Sequence, residues 1–264
     1  MPKLSVVTVN LNNAAGLRKT MQSVFSQTFS DREYIIIDGG SIDGSKEILK
    51  QYSDKLSYWV SEKDKGIYNA MNKGIIQSRA EYILFLNSGD YFVDREVLTN
   101  AVSIMKSNPA DIYYGNIVIE HENGKLVSKK HPKVISLDFL ENETINHQAS
   151  LIRRSLFDDM GLYDLRYSMA ADHAFYVKAL LKQTPFHHIN QDMVFYQLDG
   201  ISSKNFDRYK LQMNEICEHL LPGYKIRKEM EAIEKARLFR HPVERLKRFT
   251  RIRYEQLKSV LKRT

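Results

Sequence analysis

The stretch YIIIDGGSIDGSKEIL, residues 34–49, contains the change of pattern that decides the fold. Its opening run of apolar residues suits a strand buried on both faces, and the aspartate, glycines and serine that follow suit a turn. From Ser45 onward the pattern is helical. The sequence therefore predicts a strand, a loop and a helix, with Asp38 at the end of the strand.

The same alternation continues on both sides of this stretch. The β-branched run LSVVTVNLN precedes it, and the helical pattern IYNAMNKGIIQSR and a further strand, EYILFLNSGD, follow it. Strands that alternate with helices of about ten residues indicate an α/β protein with a mostly parallel sheet flanked by helices. Because ligands bind at the carboxyl ends of such strands, we expect Asp38 and Asp90 at a ligand crevice. The plain alternative is that each aspartate caps the next helix or shapes a turn.

Composition bounds the class of protein. With 264 residues, 43% of them hydrophobic, the chain can bury one sizeable core. The single cysteine, Cys217, excludes an internal disulfide and favours a reducing compartment. The sequence has no signal-peptide pattern and no run of about 18 to 20 apolar residues that would span a membrane. We therefore expect a cytoplasmic protein, soluble or peripheral to a membrane.

The positive charge is concentrated at the C-terminal end. The formal net charge is +7, but residues 223–264 contain 14 Lys and Arg against 5 Asp and Glu, while residues 1–222 contain 25 against 27. Pro222 and Gly223, residues typical of turns and loops, lie at this change of composition. The sequence thus predicts an α/β domain over residues 1–222 and a basic helical extension over residues 223–264.

The extension has an amphipathic pattern. Apolar residues recur at spacing three from Leu246 through Phe249 to Ile252, and Leu257, Val260 and Leu261 continue the stripe. A basic amphipathic helix is typical of a segment on an anionic membrane surface, here the inner face of the cytoplasmic membrane. Packing on its own domain or on a second copy in a homodimer remains an alternative. The lack of a recognition module argues against nucleic acid.

Two familiar phosphate-binding loops are missing. The first strand leads into TVNLNNAAG, which contains neither G-x-G-x-x-G nor G-x-x-x-x-G-K-[ST]. A nucleotide would therefore be held through its base, its ribose and a metal on its phosphates. Asp38 suits hydrogen bonds to a base or a ribose. Asp90 suits a hard divalent cation that bridges a carboxylate and a diphosphate.

Six segments in order carry a resemblance: SVVTVNLNN, IIIDGGSIDGS, SEKDKGIYNAMNKGI, ILFLNSGDYF, HQASLIRRSLF and AADHAFYVKAL. Together they resemble the small bacterial family-2 glycosyltransferases of cell-surface polysaccharide synthesis, over about residues 3–205. The resemblance implies the Rossmann-like GT-A fold and a metal-dependent, inverting transfer from a nucleotide-sugar. We expect a UDP-linked donor and a glycan or lipid-linked acceptor that binds over the second half of the chain.

The resemblance also assigns donor-binding residues. Tyr68 and Asn72 share one face of the helix that begins near residue 67, although polar residues at a helix start are common and Asn72 alternatively faces water. The implied nucleotide-sugar-binding residues are Thr8, Asn10, Asp38, Asp64, Lys65, Tyr68, Asn69, Asn72, Asn87 and Ser88.

The metal motif is incomplete. The family usually has two aspartates flanking one residue, but NSGD has Ser88 at the first position and Asp90 at the last. A Mg²⁺ or Mn²⁺ ion would therefore be held by Asp90, water and the diphosphate.

Asp172, in MAADHAFYVKAL, occupies the position of the family's catalytic base, and Ala171 precedes it where the family often has an acid. A carboxylate in reach of the acceptor hydroxyl can take its proton. His173 is a competing base, because imidazole titrates near neutral pH, and a plain helix cap is the structural alternative for Asp172.

Further residues are assigned to the acceptor side and to a late loop. The resemblance puts His147 and Gln148 on the acceptor side, although such a pair is often only structural. Ser202, Ser203 and Lys204 resemble a loop that closes over donor phosphates. The alternative function is a noncatalytic nucleotide- or carbohydrate-binding protein, which needs neither Asp90 nor Asp172 as a carboxylate. A nucleotidyltransferase would be expected to have a glycine-rich loop after the first strand.

Overall fold

The structure is a computed structural model that describes residues 2–121, 123–197, 205–223, 226 and 229–233. The late loop with Ser202, Ser203 and Lys204, and most of the basic extension, lie outside the described residues. The chain divides into two compact units, Met1–Ile216 and Cys217–Thr264. The predicted boundary at residues 222 and 223 stays a prediction, and the description below concerns the first unit.

Helices and strands alternate over the first part of the chain, from the first strand to the fourth. The strands are β1 (Leu4–Asn10), β2 (Arg32–Asp38), β3 (Tyr58–Ser61), β4 (Tyr82–Phe85), β5 (Tyr91–Phe92), β6 (Ile112–Glu120), β7 (Leu126–Lys129), β8 (Ser150–Arg153) and β9 (Phe186–Gln197). The helices are α1 (Ala14–Phe25), α2 (Ser45–Gln51), α3 (Ile67–Gln77), α4 (Val97–Ser107), α5 (Leu137–Asn142), α6 (Ser155–Met160), α7 (Ala171–Leu181) and α8 (Phe206–Leu220). Short 3₁₀ turns cover Ser53–Lys55 and His147–Ala149.

The strands form one mixed sheet in the order β3-β2-β1-β4-β8-β6-β9-β5, with β7 paired to β6. The first four strands in this order are parallel, as the alternating sequence pattern predicts. Beyond them β8 runs antiparallel to both β4 and β6, and β5 runs antiparallel to β9. Short crossover helices join the four N-terminal parallel strands. β6 and β9 are also parallel to each other, and the antiparallel strand β8 lies between this pair and β4.

Both faces of the parallel half are covered. Alternate residues of β1, Leu4 and Val6, join the core cluster with Leu17 and Met21 of α1. On the opposite face Gly74 of α3 lies so close to β1 that an added Cβ would collide with Val7 Cγ1. Burial on both faces explains why β1 and β2 read as continuous apolar runs.

The register of the parallel strands gathers polar side chains at one edge. Asn10 pairs with Asp38, and Asp38 pairs with Ser61, so the last residues of β1, β2 and β3 lie side by side. This edge is formed by the carboxyl ends of the strands, where α/β proteins bind ligands. In the described part of the chain, no helix combines the length and the apolar composition that a membrane span requires.

Candidate active site

Asp38 is the centre of a hydrogen-bonded group at the end of β2. Its Oδ1 accepts bonds from Asn10 Nδ2 at 2.7 Å and from Ser41 Oγ at 2.5 Å. Its Oδ2 accepts bonds from Ser61 Oγ at 2.7 Å and from the backbone N–H of Ser41 at 2.9 Å. Burial alone would raise the pKa of Asp38, but the bonds from Ser41, Ser61 and Asn10 outweigh it and lower the pKa. The carboxylate is therefore ionised and fixes the loop after β2.

The start of α3 lies against this loop. A Cβ on Gly39 would be only 2.6 Å from Asp64 Oδ2, so a larger residue there would displace this carboxylate. Asp64 Oδ1 accepts a bond from the backbone N–H of Gly66 at 2.8 Å, and Asn69 Oδ1 accepts one from that of Lys65 at 3.1 Å. The structure thus brings the predicted residues Asp64, Lys65 and Asn69 to the carboxyl edge, beside the loop that Asp38 holds.

Two predicted donor residues point into the protein. Thr8 is fully buried, and its hydroxyl lies 3.0 Å from the Tyr34 hydroxyl inside the sheet. Asn72 is buried and forms two bonds of 2.9 Å with the backbone N–H and carbonyl of Tyr163. The alternative in which Asn72 faces water is therefore wrong, and its predicted contact with the donor stays a prediction. The Asn72 amide fastens α3 to the segment before α7, and neither residue belongs to the groups around Asp38 and Asp172.

Asp172 lies in the first turn of α7 and is 6% exposed. Tyr68 donates its hydroxyl to Asp172 Oδ1 at 2.6 Å, and His147 Nδ1 lies 2.8 Å from Asp172 Oδ2. Burial raises the pKa of Asp172, but the bond and charge of His147 and the bond from Tyr68 lower it overall. Asp172 is therefore a buried carboxylate that remains ionised at neutral pH.

His147 connects Asp172 with the end of β4. Its Nε2 lies 3.0 Å from the side-chain amide of Asn87, and its Nδ1 faces the Asp172 carboxylate, which can only accept. The Nδ1–H then donates to the Asp172 carboxylate. Sequence reasoning assigned Tyr68 and Asn87 to the donor and His147 to the acceptor. It missed that Tyr68 and His147 contact Asp172 and that Asn87 contacts His147, because the four residues are far apart in the chain.

His173, the competing base, has a different environment. It is fully buried, and its Nδ1 lies 3.3 Å from the Thr144 hydroxyl. Burial lowers the pKa of His173 to about 4, so the ring is neutral at physiological pH. Asp172 lines the cleft described below and His173 does not. The geometry therefore favours Asp172 over His173 as the proton acceptor.

The NSGD loop follows β4 and is held by α1. Asn13 Nδ2 donates to the Ser88 carbonyl at 3.0 Å, and the Thr20 hydroxyl donates to the Asp90 carbonyl at 2.7 Å. Asp90 is 6% exposed, and its Oδ1 accepts a bond of 3.3 Å from the backbone N–H of Gln197. The described residues contain no group of three His, Cys, Asp or Glu side chains that could hold a metal ion. One hard carboxylate fits Mg²⁺ or Mn²⁺ only if water and phosphate supply the other ligands.

A cleft of about 400 Å³ opens beside Asp172. His147, Gln148 and Tyr68 line it, so the structure brings the predicted base and the predicted acceptor residues together. The other lining residues come from β6, β7, the segment 142–146, Met169, β9 and α8. Several of them are apolar or aromatic: Ile117, Ile119, Ile145, Met169, Tyr196, Phe206, Tyr209 and Met213.

Comparison with known proteins identifies the family. The profile described as glycosyl transferase family 2 matches residues 5–161. The chain belongs to glycosyltransferase family 2. A glycosyltransferase of Mycobacterium tuberculosis is 33% identical over 186 residues, which cover 70% of this chain and 71% of that protein. A PGL/p-HBAD biosynthesis glycosyltransferase of Mycobacterium bovis is 31% identical over 182 residues, covering 67% and 69% of the two chains.

Solved structures confirm the fold expected of this family. S. aureus TarS residues 1–349, in complex with UDP, align with a TM-score of 0.65 at 20% identity and cover 84% of this chain and 71% of theirs. A mannosyltransferase from Pyrobaculum calidifontis, in complex with GDP-Man and Mn²⁺, aligns with a TM-score of 0.61 at 14% identity, covering 89% and 75%. The predicted α/β fold of GT-A type is therefore confirmed for this family-2 chain.

Proposed function

We propose that this family-2 protein is an inverting glycosyltransferase that moves a sugar from a UDP-linked donor to a hydroxyl group of a glycan or lipid-linked acceptor. The observation that carries the proposal is Asp172, an ionised carboxylate on a cleft, held by Tyr68 and His147. Through His147 it is connected to Asn87, the first residue of the NSGD loop. Hydrogen bonds from Tyr68 and His147 offset the cost of burying this charge, so the side chain stays an ionised carboxylate on the cleft.

In the proposed reaction the acceptor oxygen attacks the anomeric carbon of the donor sugar. Its proton passes to the Asp172 carboxylate while the bond between the anomeric carbon and the diphosphate oxygen breaks. The electron pair of that bond leaves with the nucleoside diphosphate. A single displacement inverts the configuration of the anomeric carbon. His147 and Tyr68 hold the two carboxylate oxygens, so Asp172 is oriented before the acceptor binds.

The donor would lie at the carboxyl edge of the parallel strands. Asn10, Asp38 and Asp64 are at this edge beside the loop 39–41, and Asn87 and Ser88 begin the next loop. We propose that Asp90 holds a Mg²⁺ or Mn²⁺ ion, which when bound neutralises negative charge on the diphosphate. The solved neighbours support nucleotide binding in this fold, because their complexes contain UDP, UDP-GlcNAc, or GDP-Man with Mn²⁺.

The charge of the tail and the name of a relative support a cellular setting for the enzyme. We propose that the basic extension places the enzyme peripherally on the inner face of the cytoplasmic membrane, where a lipid-linked acceptor of cell-surface polysaccharide would be reached. A mycobacterial relative is named a PGL/p-HBAD biosynthesis glycosyltransferase, which supports a role in biosynthesis. Contact of the tail with a second copy of the chain remains the competing arrangement.

Thermal shift with a panel of nucleotide-sugars, with and without Mn²⁺, tests the donor side, because a ligand that binds the folded state raises its melting temperature. We expect a UDP-sugar to raise it, and more so with Mn²⁺. Release of free nucleotide in the presence of acceptor then separates an enzyme from a binding protein. Failure of every nucleotide-sugar to shift the melting temperature would contradict the proposal.

A further inference from the structure

β7 and the segment that follows it present a basic and apolar surface, residues 125–134, here called the β7 strip. Its sequence, KLVSKKHPKV, contains four lysines and no Asp or Glu. Three apolar side chains in it are exposed, Leu126 by 54%, Val127 by 36% and Val134 by 77%. Single exposed apolar residues are ordinary, but a group of them among basic residues marks an interaction surface.

Most of the positive charge of the strip is not paired within the protein. Lys129 forms an ion pair with Glu143 at 2.8 Å. The other three lysines are exposed, and the described part of the chain offers them no ion pair: Lys125, Lys130 and Lys133. Asp192 adds one negative charge beside the strip, where it accepts a bond of 2.8 Å from Ser128 Oγ. An excess of positive charge therefore faces solvent.

The strip borders the cleft beside Asp172. In the antiparallel pair of β6 and β7, Val127 lies opposite Ile119 and Lys129 lies opposite Ile117. Ile117, Ile119 and Lys129 all line the cleft. A surface that the strip contacts is therefore next to the cleft and to the carboxylate in it.

Hydrogen bonds hold the strip on both sides of β7. The turn before β7 is closed by a bond of 3.0 Å from the backbone N–H of His121 to the Lys125 carbonyl. After β7, the backbone N–H of His131 donates to Asn116 Oδ1, on β6, at 3.1 Å. The strip is thus a surface that the sheet holds in place.

The composition of the strip favours an anionic lipid surface as its partner. A lysine near such a surface strengthens binding about fivefold, and exposed aliphatic side chains enter the headgroup layer. A second copy of the chain that paired through β7 would instead bring the same lysines face to face. Single-stranded nucleic acid is bound by stacking on aromatic side chains, and residues 125–134 contain no Phe, Tyr or Trp.

We propose that the β7 strip is a membrane-contact surface, which lies on anionic lipid headgroups and holds the cleft with Asp172 at the lipid surface. The inference rests on the proposed transfer to a lipid-linked acceptor, and it gives the described domain a membrane contact of its own, separate from the tail. Three free lysines strengthen binding by only about 10²-fold together. The strip therefore orients the domain on the membrane but does not by itself hold the protein in a vesicle pellet.

The first test determines which surface of the full chain meets the membrane. The chain has one tryptophan, Trp59, in the edge strand β3, so in a Trp59→Phe background an introduced tryptophan is the only one that reports. Val127→Trp places it in the strip. Ile76→Trp places it at an exposed apolar position of α3 and is the matched control. In anionic vesicles with brominated lipids, which quench tryptophan in the bilayer, we expect loss of emission from Val127→Trp and none from Ile76→Trp.

The second test removes the charge of the strip. Changing its three exposed lysines together, by Lys125→Gln, Lys130→Gln and Lys133→Gln, should weaken binding of the full chain to anionic vesicles about 10²-fold and restore the emission of Val127→Trp. The matched control removes the same charge from the segment that joins β2 to β3, by Lys46→Gln, Lys50→Gln and Lys55→Gln. It should change the affinity by less than about twofold, since screening limits the reach of these charges to about 8 Å.

The inference is overturned if the two tryptophan variants lose equal emission, or if the two triple variants bind anionic vesicles alike. It is also overturned if light scattering shows that the strip variant changes the oligomeric state, because a second copy of the chain would then cover the strip. Neither test contains a donor or an acceptor, so a failure of sugar transfer would count against the proposed function alone.

Discussion

At the scale of single residues, the proposed chemistry depends on a carboxylate that is buried and yet ionised. Asp172→Asn keeps the shape of the side chain but removes its basicity. Turnover should fall by about 10² to 10⁴, the usual contribution of a general base, while donor affinity remains within about twofold. Single-turnover transfer and calorimetric donor binding measure the two quantities. Asp158→Asn, which removes an exposed carboxylate paired with Arg154, is the control and should leave both unchanged.

The hydrogen bond from Tyr68 should be visible in the pH dependence of turnover. This bond helps to lower the pKa of Asp172, so Tyr68→Phe should raise that pKa and move the acid limb of the kcat profile to higher pH. Tyr163→Phe removes a buried hydroxyl that has no hydrogen-bond partner and should leave the limb in place. Profiles between pH 4 and pH 8 decide the matter. An unshifted limb in Tyr68→Phe would mean that Asp172 is not the titrating base.

At three positions a local motif allowed the location of an aspartate, though not its role, to be predicted from the sequence. Asp38 and Asp64 lie at the carboxyl edge, and Asp172 lies on the cleft, as the motifs indicate. The inward direction of Asn72 could not be predicted, because its partner Tyr163 lies 91 residues away and offers only backbone atoms. Backbone groups carry no sequence signal. The pairing of His147 with Asp172 was hidden for the related reason that it joins two distant segments.

At the scale of elements, the loop between β2 and α2 is held by the charge on Asp38. Because the folded-state pKa of Asp38 is lowered, the carboxylate adds stability above the unfolded-state pKa of about 3.9, and this stability is lost as the pH falls through the folded-state pKa. Asp38→Asn should lower the free energy of unfolding at pH 7 by about 1 to 3 kcal/mol. The difference from wild type should shrink below about pH 4.

Urea unfolding at a series of pH values measures this difference, and Asp54→Asn, an exposed aspartate in the turn after α2, is the control. A difference between wild type and Asp38→Asn that stays constant with pH would show that the carboxylate acts only by its shape. Retained stability with lost donor binding would instead favour direct contact between Asp38 and the nucleoside.

The contact between α3 and β1 is a second test at this scale. Gly74 packs against Val7 without room for a Cβ, so Gly74→Ala should destabilise the protein by about 1 to 3 kcal/mol although alanine favours helix. Val7→Ala makes space on the facing strand. The loss of unfolding free energy in the double variant should therefore be smaller than the sum of the losses in the two single variants. Strictly additive free energies of unfolding would contradict the tight contact.

The parallel half of the sheet could be predicted because burial on both faces and intervening helices leave a periodic signal. The places of the antiparallel strands β5 and β8 could not be predicted, because β9, the partner of β5, and β4 and β6, the partners of β8, lie far from them in the chain. Such short strands are specified by their neighbours. β8 pairs with β4 and β6, and both of these strands lie well before β8 in the chain. The position of β8 in the sheet therefore follows from tertiary packing.

At the scale of the whole molecule, the two parts of the chain differ sharply in net charge. Residues 234–264 contain 11 Lys and Arg against 3 Asp and Glu, while residues 1–233 contain 28 against 29. The family profile ends at residue 161, so family membership carries no information on this tail. The membrane role of the tail therefore stays a prediction from the sequence. The tail itself lies outside the described residues.

That role predicts a salt-sensitive attachment that truncation removes. The full chain should bind vesicles that contain anionic lipid, and the binding should weaken steeply with salt, since the screening length is about 8 Å at physiological ionic strength and shorter above it. A chain that ends at Ile233 should remain in the supernatant in a sedimentation assay while its donor affinity stays unchanged. Neutral vesicles, which should bind little of either protein, control for insertion of the apolar face of the tail into the bilayer. If the two chains bind anionic vesicles equally, the tail is a structural or dimer-forming segment, and light scattering of both chains would then show which.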